Sequence, residues 1–330
     1  MHSFDWKYRA CLVTGGAGFG GSHLCEQLLN RGAKVFIVDR WLPKNSYLVL
    51  SGKYDEVEFI EGDIRDLEFL KLTIERFQID TVFHLAAQPI IPISNIHPYE
   101  TLSVNALGTY AVLEAIRTSE HAKRLVFASS GAYYGTTTTR EPFREEDPPL
   151  PATNIYAPSK VAADILVRCY PQIYKLKTAV CRFMNTYGPG DTNFSRIVPR
   201  AILNLITDPK APYDFGSRDD GTTALDFLHI ADMANAYIKT AENLDVIVGE
   251  AINFGTGILT STQELAKKIS VLFDNKDREA VFRGKRKVKP IAKCLDISKA
   301  RKCLGWEPET PLEKGLKETI EWYRRFWERL

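Results

Sequence analysis

The sequence predicts an α/β protein organised on a doubly wound parallel sheet. Three observations carry that prediction. Segments of strand and helix character alternate over the first 187 residues. The strand segments, such as Leu125-Val126-Phe127-Ala128, are apolar without alternation, as parallel strands buried on both faces are. The first strand runs directly into a glycine-rich turn, Thr14-Gly15-Gly16-Ala17-Gly18-Phe19-Gly20-Gly21.

Taken in order, Ala10 to Thr14 reads as the first strand and Ser22 to Asn30 as the first helix. Between them, each of three glycines has a reason to lack a side chain. Gly15 allows the tight turn out of the strand, Gly18 lets a pyrophosphate approach the backbone, and Gly21 lets the helix pack close to the sheet. The helix start would offer N–H groups and a positive dipole end to phosphates. Lys34 to Asp39 is the second strand. It ends in an acid about 20 residues beyond the turn, where an acceptor for a ribose hydroxyl belongs. Glu58 to Ile64 is the third strand, followed by helix Leu67 to Gln78. Thr81 to Ala87, Arg124 to Ser130 and Thr178 to Asn185 are strands four to six. Pro98 to Thr118 and Ile155 to Tyr174 are long helices between them.

After Tyr187 the segments shorten, with Pro189, Pro199, Pro209, Pro212, Gly216 and Gly221 as punctuation. This predicts a smaller C-terminal lobe interleaved with the first, because Ala251 to Gly255 reads as a strand returning to the main sheet. Residues 1–187 with about 225–257 are expected to form the dinucleotide-binding domain, and 188–224 with 258–330 the second lobe. The C-terminus is helical from Leu312 to about Glu328. The basic run Arg283 to Lys289 is a solvated loop or a loop that faces a phosphate group.

With 330 residues the chain can hold a large core. A net charge of +2 gives no bulk argument for nucleic acid or a membrane surface. No apolar run approaches the roughly 18 residues of a membrane span, and Met1 to Arg9 lacks a signal-peptide core. The six cysteines form no CxxC pair and no zinc spacing, so buried free thiols, no metal and a cytoplasmic protein are expected.

Tyr156-Ala157-Pro158-Ser159-Lys160 places a phenol and an amine on one face of a helix. To serve as a base near pH 7 the phenol must fall from a pKa of about 10, about 4 kcal/mol of preferential stabilisation of phenolate. The Lys160 cation and a positive nicotinamide ring are expected to provide it together. Ser129-Ser130 ends strand five at the ligand-binding edge of such a sheet, where a hydroxyl can bond the same substrate group or cap a turn.

In this order, the motifs resemble the extended short-chain dehydrogenase/reductase superfamily, in its nucleotide-sugar epimerase/dehydratase branch. They are Thr14 to Phe19, Gly62-Asp63-Ile64-Arg65-Asp66, His84-Leu85-Ala86-Ala87-Gln88, Asn105-Ala106-Leu107-Gly108-Thr109, Tyr156 with Lys160, Arg182 to Pro189, and Asp296-Ile297-Ser298-Lys299-Ala300 with Leu304-Gly305-Trp306. The resemblance implies a Rossmann-type fold whose second lobe binds a nucleoside-diphosphate sugar, and a homodimer paired through the two long helices. It implies catalysis by Ser130, Tyr156 and Lys160. The cofactor would be held by Gly15, Gly18, Phe19, Gly21, Asp39, Arg40, Asp63, Ile64, Leu85, Ala86, Ala87, Asn105, Ser129, Tyr156, Lys160 and Phe183. The substrate would meet Gln88, Ser130, Gly131, Ala132, Asn185, Arg196 and Arg218. Asp39 points to NAD, since it repels a 2′-phosphate, whereas Arg40 would accept one.

Members of this branch typically begin by oxidising a sugar carbon, and the fate of the keto sugar depends on nearby groups. Dehydratases of the family place Asp-Glu after the catalytic Ser or Thr. Here Gly131 and Ala132 stand there, and neither moves a proton. The expectation is a nucleotide-sugar 4-epimerase with NAD. An unusual dehydratase using Tyr133, Tyr134 or Cys181, a 4-keto sugar reductase and a non-catalytic dinucleotide-binding protein are the alternatives. Leu225 stands where relatives carry an arginine that grips the diphosphate, which leaves Arg196, Arg218 or the basic run to replace it.

Overall fold

The computed structural model describes residues 4–217, 219–285, 289 and 291–330. Seven parallel strands form its central sheet: β1 (Ala10–Thr14), β2 (Lys34–Asp39), β3 (Glu58–Glu61), β4 (Thr81–His84), β5 (Arg124–Ala128), β6 (Lys177–Phe183) and a last strand, Ala251–Phe254. Across the sheet they run last strand, β6, β5, β4, β1, β2, β3. The order reverses between β1 and β4, and the crevice at the carboxyl ends of those strands is where such sheets bind ligands. The expected Rossmann-type sheet is therefore present.

Both faces are covered. On one, Leu24, Cys25 and Leu28 of helix α1 (Phe19–Asn30) and Met233 and Tyr237 of helix Ile230–Glu242 pack on Val13, Ile37 and Phe83. On the other, helices Leu67–Arg76, Gly108–Thr118 and Tyr156–Tyr174 place Leu70, Ile74, Val112, Ile116, Ala163 and Val167 on Leu12, Val82 and Leu125. Each such fully buried aliphatic side chain stabilises the fold by about 1.5–3 kcal/mol. A third apolar cluster joins helices Ile197–Thr207, Thr262–Asp274 and Leu312–Phe326 through Ile202, Leu205, Leu265, Ile269, Leu316 and Tyr323.

Several boundaries differ from the sequence reading. The sixth strand stops at Phe183, and Asn185–Tyr187 forms a separate strand paired with Phe227–His229. The third strand ends at Glu61, with the Gly62 N–H making the last bond to β2, on the Asp39 carbonyl. The helix expected over 98–118 is α-helical at Pro98–Leu102 and Gly108–Thr118, with a π turn at Ser103–Leu107 between them. Beyond Tyr187, besides the expected C-terminal helix, three helices of more than ten residues form among the described residues where shorter segments were expected; His229 and Ser261 cap two of them with their own side chains. The six cysteines are free, but Cys169 is exposed and Cys303 half-buried, so the expectation of buried thiols holds for four. Among the described residues no helix is long and apolar enough to cross a membrane.

Behind the sheet edge lies a fully buried ion pair. Asp164, on helix Tyr156–Tyr174, accepts from Arg182 Nε and Nη2 of β6, both at 2.9 Å, and from the Ser129 hydroxyl at 2.8 Å. Arg182 also donates to the Tyr134 hydroxyl (2.9 Å) and the Glu145 carbonyl (3.1 Å), and its guanidinium lies 3.5 Å from the Tyr133 ring centroid. Asp164→Ala would leave that guanidinium charged and unpaired. It is expected to cost about 3–5 kcal/mol, read as a fall in the urea midpoint.

His23 and His84 are buried, and burial pulls each from 6.5 down to about 3. His84 bonds Thr14 Oγ1 (2.7 Å) and Thr109 Oγ1 (2.9 Å). Both rings are neutral in the folded chain, whereas unfolded histidines titrate near 6.5. Their folded pKa lies below the unfolded one, so their stabilising contribution is complete above about 6.5 and is lost as pH falls toward about 3. Denaturant titrations from pH 7 to 5 should show stability falling by about 1.4 kcal/mol per pH unit for each such histidine below its unfolded pKa. A flat profile over that range would contradict the assignment.

Candidate active site

The glycine turn after β1 is shaped by close approach. Gly15 adopts φ +73°, and a Cβ there would lie 2.7 Å from the Ala86 nitrogen. A Cβ on Gly21 would lie 2.2 Å from the Gly15 carbonyl oxygen, so only glycine lets α1 start this close to the turn. Gly18 is the N-cap of α1, and no side chain caps it. The uncapped helix start thus faces the crevice between β1 and β4 with N–H groups suited to a phosphate. Phe19, the first residue of the helix, sets its ring edge-on to His23.

Asp39 ends β2 beside this turn. Its carboxylate accepts from the Ala17 N–H (3.2 Å) and the Arg40 N–H (2.9 Å). Burial pushes its pKa up, against those two bonds. It keeps acceptor capacity for a ribose hydroxyl. A cradle that a Cβ would fill, an uncapped helix start and this carboxylate fit the pyrophosphate and ribose of a dinucleotide. Asp63 borders the same edge, its carboxylate paired with Arg65 at 2.6 Å; Ile64 is buried next to Gly108. Leu85, Ala86 and Ala87 are half-buried along the crevice, and the Ala86 N–H bonds Thr14 Oγ1.

Of the expected set Ser130, Tyr156 and Lys160, the first two are in contact, and Lys160 follows Tyr156 by one turn of the same helix. Ser130 hydrogen-bonds the Tyr156 phenol, and its hydroxyl oxygen also accepts the Ala132 N–H at 3.1 Å. Lys160 is buried and donates to the Ala128 carbonyl at 2.8 Å. Burial pulls its pKa from 10.5 down to about 7, against the nearby Asp164 charge. The expectation for Tyr156 needs correction. Burial holds its phenol above the ordinary value, and what opposes this is the Ser130 bond and the Arg196 charge, not Lys160. The ammonium is directed at a backbone carbonyl, so within the protein alone Tyr156 is a phenol.

The residues after Ser130 form a 3-10 turn, Gly131–Tyr134. A Cβ on Gly131 would lie 2.3 Å from Met184 Sδ and 3.1 Å from the Phe183 carbonyl oxygen, so Met184 occupies the space a side chain would need. Two of the proton donors weighed for an unusual dehydratase are otherwise engaged, the Tyr134 hydroxyl on Asn253 at 2.8 Å and the buried Cys181 on Thr240; the Tyr133 ring packs against the Arg182 guanidinium.

Other expected contacts are turned inward. Ser129 donates its hydroxyl to Asp164 because that buried carboxylate needs donors. Gln88, expected at the substrate, accepts from the Ile90 N–H (2.6 Å) and donates to Thr101 (3.0 Å). Asn105, on the π turn, holds both backbone groups of Gln88 and bonds Ser159 (2.9 Å), so it acts on the crevice loop and the Tyr156 helix rather than on the cofactor directly. The Phe183 ring sits in the core, stacked 5.1 Å from Phe254. Asn185 is half-buried at the start of its short strand. Arg196 bonds Asp191 (2.8 Å) and the Thr186 carbonyl (2.6 Å), and its charge reaches Tyr156. Arg218 and part of the basic run lie outside the described residues.

One neighbour has no signal in the sequence. Lys293 pairs in register with Leu225 and extends its ammonium to the Gly131 carbonyl (3.4 Å) and the Gly135 carbonyl, bracketing the turn after Ser130. Burial pulls its pKa down to about 8.

Comparison with known proteins places the chain in a family. The family model for GDP-mannose 4,6 dehydratase matches residues 12–319. A mouse dTDP-D-glucose 4,6-dehydratase is 32% identical over 326 residues, covering 95% of this chain and 88% of the relative. A Thermotoga maritima UDP-glucose 4-epimerase, solved with UDP-glucose, superposes with a TM-score of 0.82 at 30% identity over 96% of this chain and 99% of that one. A Bacillus anthracis dTDP-glucose 4,6-dehydratase, solved with NAD, gives 0.83 at 26% identity over 97% and 98%. With its glycine cradle, its acid at the end of β2 and its Ser-Tyr-Lys set, the chain belongs to the NAD-dependent nucleotide-sugar epimerase/dehydratase family of extended short-chain dehydrogenases/reductases.

Proposed function

We propose that this protein is a nucleotide-sugar 4-epimerase. The observation that carries the reading is the turn after Ser130, where Gly131 and Ala132 offer no proton and Met184 fills the space beside Gly131. A 4,6-dehydration must remove a proton from C5 and protonate a departing hydroxyl. A 4-epimerisation needs one proton acceptor at the C4 hydroxyl. NAD, when bound, supplies the hydride acceptor and donor, and its positive ring favours the phenolate. Tyr156 takes and returns the hydroxyl proton, worth about 10²–10⁴ in rate for a positioned acid–base group. Ser130 orients that hydroxyl through its bond to the phenol. Lys160, whose pKa burial brings down to about 7, stands one turn further along the same helix and donates to the Ala128 carbonyl. The nucleoside diphosphate would lie toward Asn185 and Arg196. A dehydratase is the second reading, favoured by the description of the matching family model and by the mouse relative.

Exposed apolar side chains support a homodimer. Tyr99, Leu102, Leu107 and Tyr110 project from one long helical segment, and Ile165, Ile173 and Tyr174 from the other. The step from Leu102 to Leu107 spans the π turn, whose i to i+5 bonding brings the two into successive turns of one face.

The reading is tested by incubating the protein with UDP-, CDP-, GDP- and dTDP-hexoses and following C4 by NMR. A product of equal mass with an inverted C4 coupling is expected, and loss of water with a 4-keto product would overturn it. Tyr156→Phe should lower turnover at least about a hundredfold and leave NADH binding unchanged. Light scattering at micromolar concentration should give twice the chain mass for the native protein and the single-chain mass for Leu102→Asp. A monomeric native protein would refute the dimer.

A further inference from the structure

Arg40 is the one feature of the cofactor site that argues against NAD, since an arginine beside the acid after β2 is how such folds accept a 2′-phosphate. The structure shows what holds it. Glu100, in the first turn of helix Pro98–Leu102, receives Arg40 Nη1 on Oε1 at 3.7 Å and Arg65 Nη1 on Oε2 at 3.1 Å. Arg65 is also paired with Asp63, through Nη2 at 2.6 Å and Nε at 3.0 Å. Asp39 stands alongside, with its two oxygens on the N–H groups of Ala17 and Arg40. The cluster therefore sets three carboxylates against two guanidinium groups, and each guanidinium already faces a carboxylate.

We infer that Glu100 is a specificity-determining residue that excludes NADP. It acts through Arg40, by occupying the cation that a 2′-phosphate would use, and it adds its own repulsion to that of Asp39. NAD carries no charge at that position and is indifferent to the pairing. Because both arginine contacts are at least partly exposed, the effect is one of local field rather than of buried geometry, and it weakens with salt. The inference rests on the dinucleotide site and not on the choice between epimerase and dehydratase.

The test uses the full chain and the displacement of NADH fluorescence by NAD⁺ or NADP⁺. Glu100→Gln is expected to tighten NADP⁺ by about tenfold at low salt while NAD⁺ changes by less than about twofold. Most of the gain should vanish in 1 M salt, where the screening length is about 3 Å, and in the Glu100→Gln, Arg40→Ala double variant. Arg40→Ala alone should leave NADP⁺ affinity within about twofold, because the guanidinium is already engaged. An unchanged NADP⁺ to NAD⁺ ratio in Glu100→Gln would overturn the inference. So would equal changes for both dinucleotides, a gain that survives Arg40→Ala, or a several-fold loss of NADP⁺ affinity in Arg40→Ala alone.

Discussion

The buried carboxylate of Asp164 sets the geometry on which the rest of the site depends. It joins the helix that carries Tyr156 and Lys160 to β6 through Arg182 and to the end of β5 through Ser129. Two charges taken out of water are costly, and only good geometry with further hydrogen bonds offsets that cost. Here the guanidinium is met by two carboxylate oxygens, a phenol oxygen, a backbone carbonyl and an aromatic face. The result is directional rather than merely stabilising. An apolar pair of equal volume would allow the helix to slide or rotate, whereas this network holds Lys160 one turn from Asp164 and under the Ala128 carbonyl. The same carboxylate also opposes the burial that pulls the Lys160 pKa down.

A second set of constraints fixes the crevice from the other side. Gly15 must approach Ala86, and Gly21 must approach Gly15, within distances that exclude a side chain. The loop carrying Ala86 to Gln88 is held in turn by Asn105, whose amide bonds Gln88 twice and Ser159 once. Asn105 reaches these partners from a π turn, a local widening that often marks functional positions in helices. One side chain thus links the cofactor crevice to the first turn of the catalytic helix. This explains why an unfavourable helical geometry is retained within a segment that would otherwise be a continuous α-helix.

Much of this was legible in the sequence, and the reason is periodicity. Buried parallel strands, the glycine turn and the Tyr156–Lys160 spacing each impose a local pattern that survives without tertiary information. What escaped depends on contacts between distant segments. Arg182 was read only as part of a motif, and its pairing with Asp164 has no local signature. Gln88 and Ser129 stand at ligand-facing positions by motif, yet their side chains answer inward demands, from Thr101 and the Ile90 N–H in one case and from Asp164 in the other. The π turn is invisible because Ser103 to Leu107 has no composition unlike that of an α-helix. The helices after Tyr187 were obscured by proline and glycine, although Pro199 lies in the first turn of its helix, where proline is tolerated.

The turn after Ser130 shows how packing, rather than composition alone, restricts chemistry. From sequence, Gly131 and Ala132 read as small residues that cannot move a proton. In the structure the small size is built in, because Met184 and the Phe183 carbonyl close the space beside Gly131. Lys293 adds a second restriction by donating to the carbonyls at both ends of that turn. Burial brings its pKa down to about 8, and two of its three ammonium hydrogens are taken by these backbone oxygens. Beside this turn stand Ser130 and Tyr156, joined by a hydrogen bond, with Lys160 one helical turn away. Such a set supports one reversible proton transfer at a single hydroxyl more readily than an elimination that needs separate groups at two neighbouring carbons.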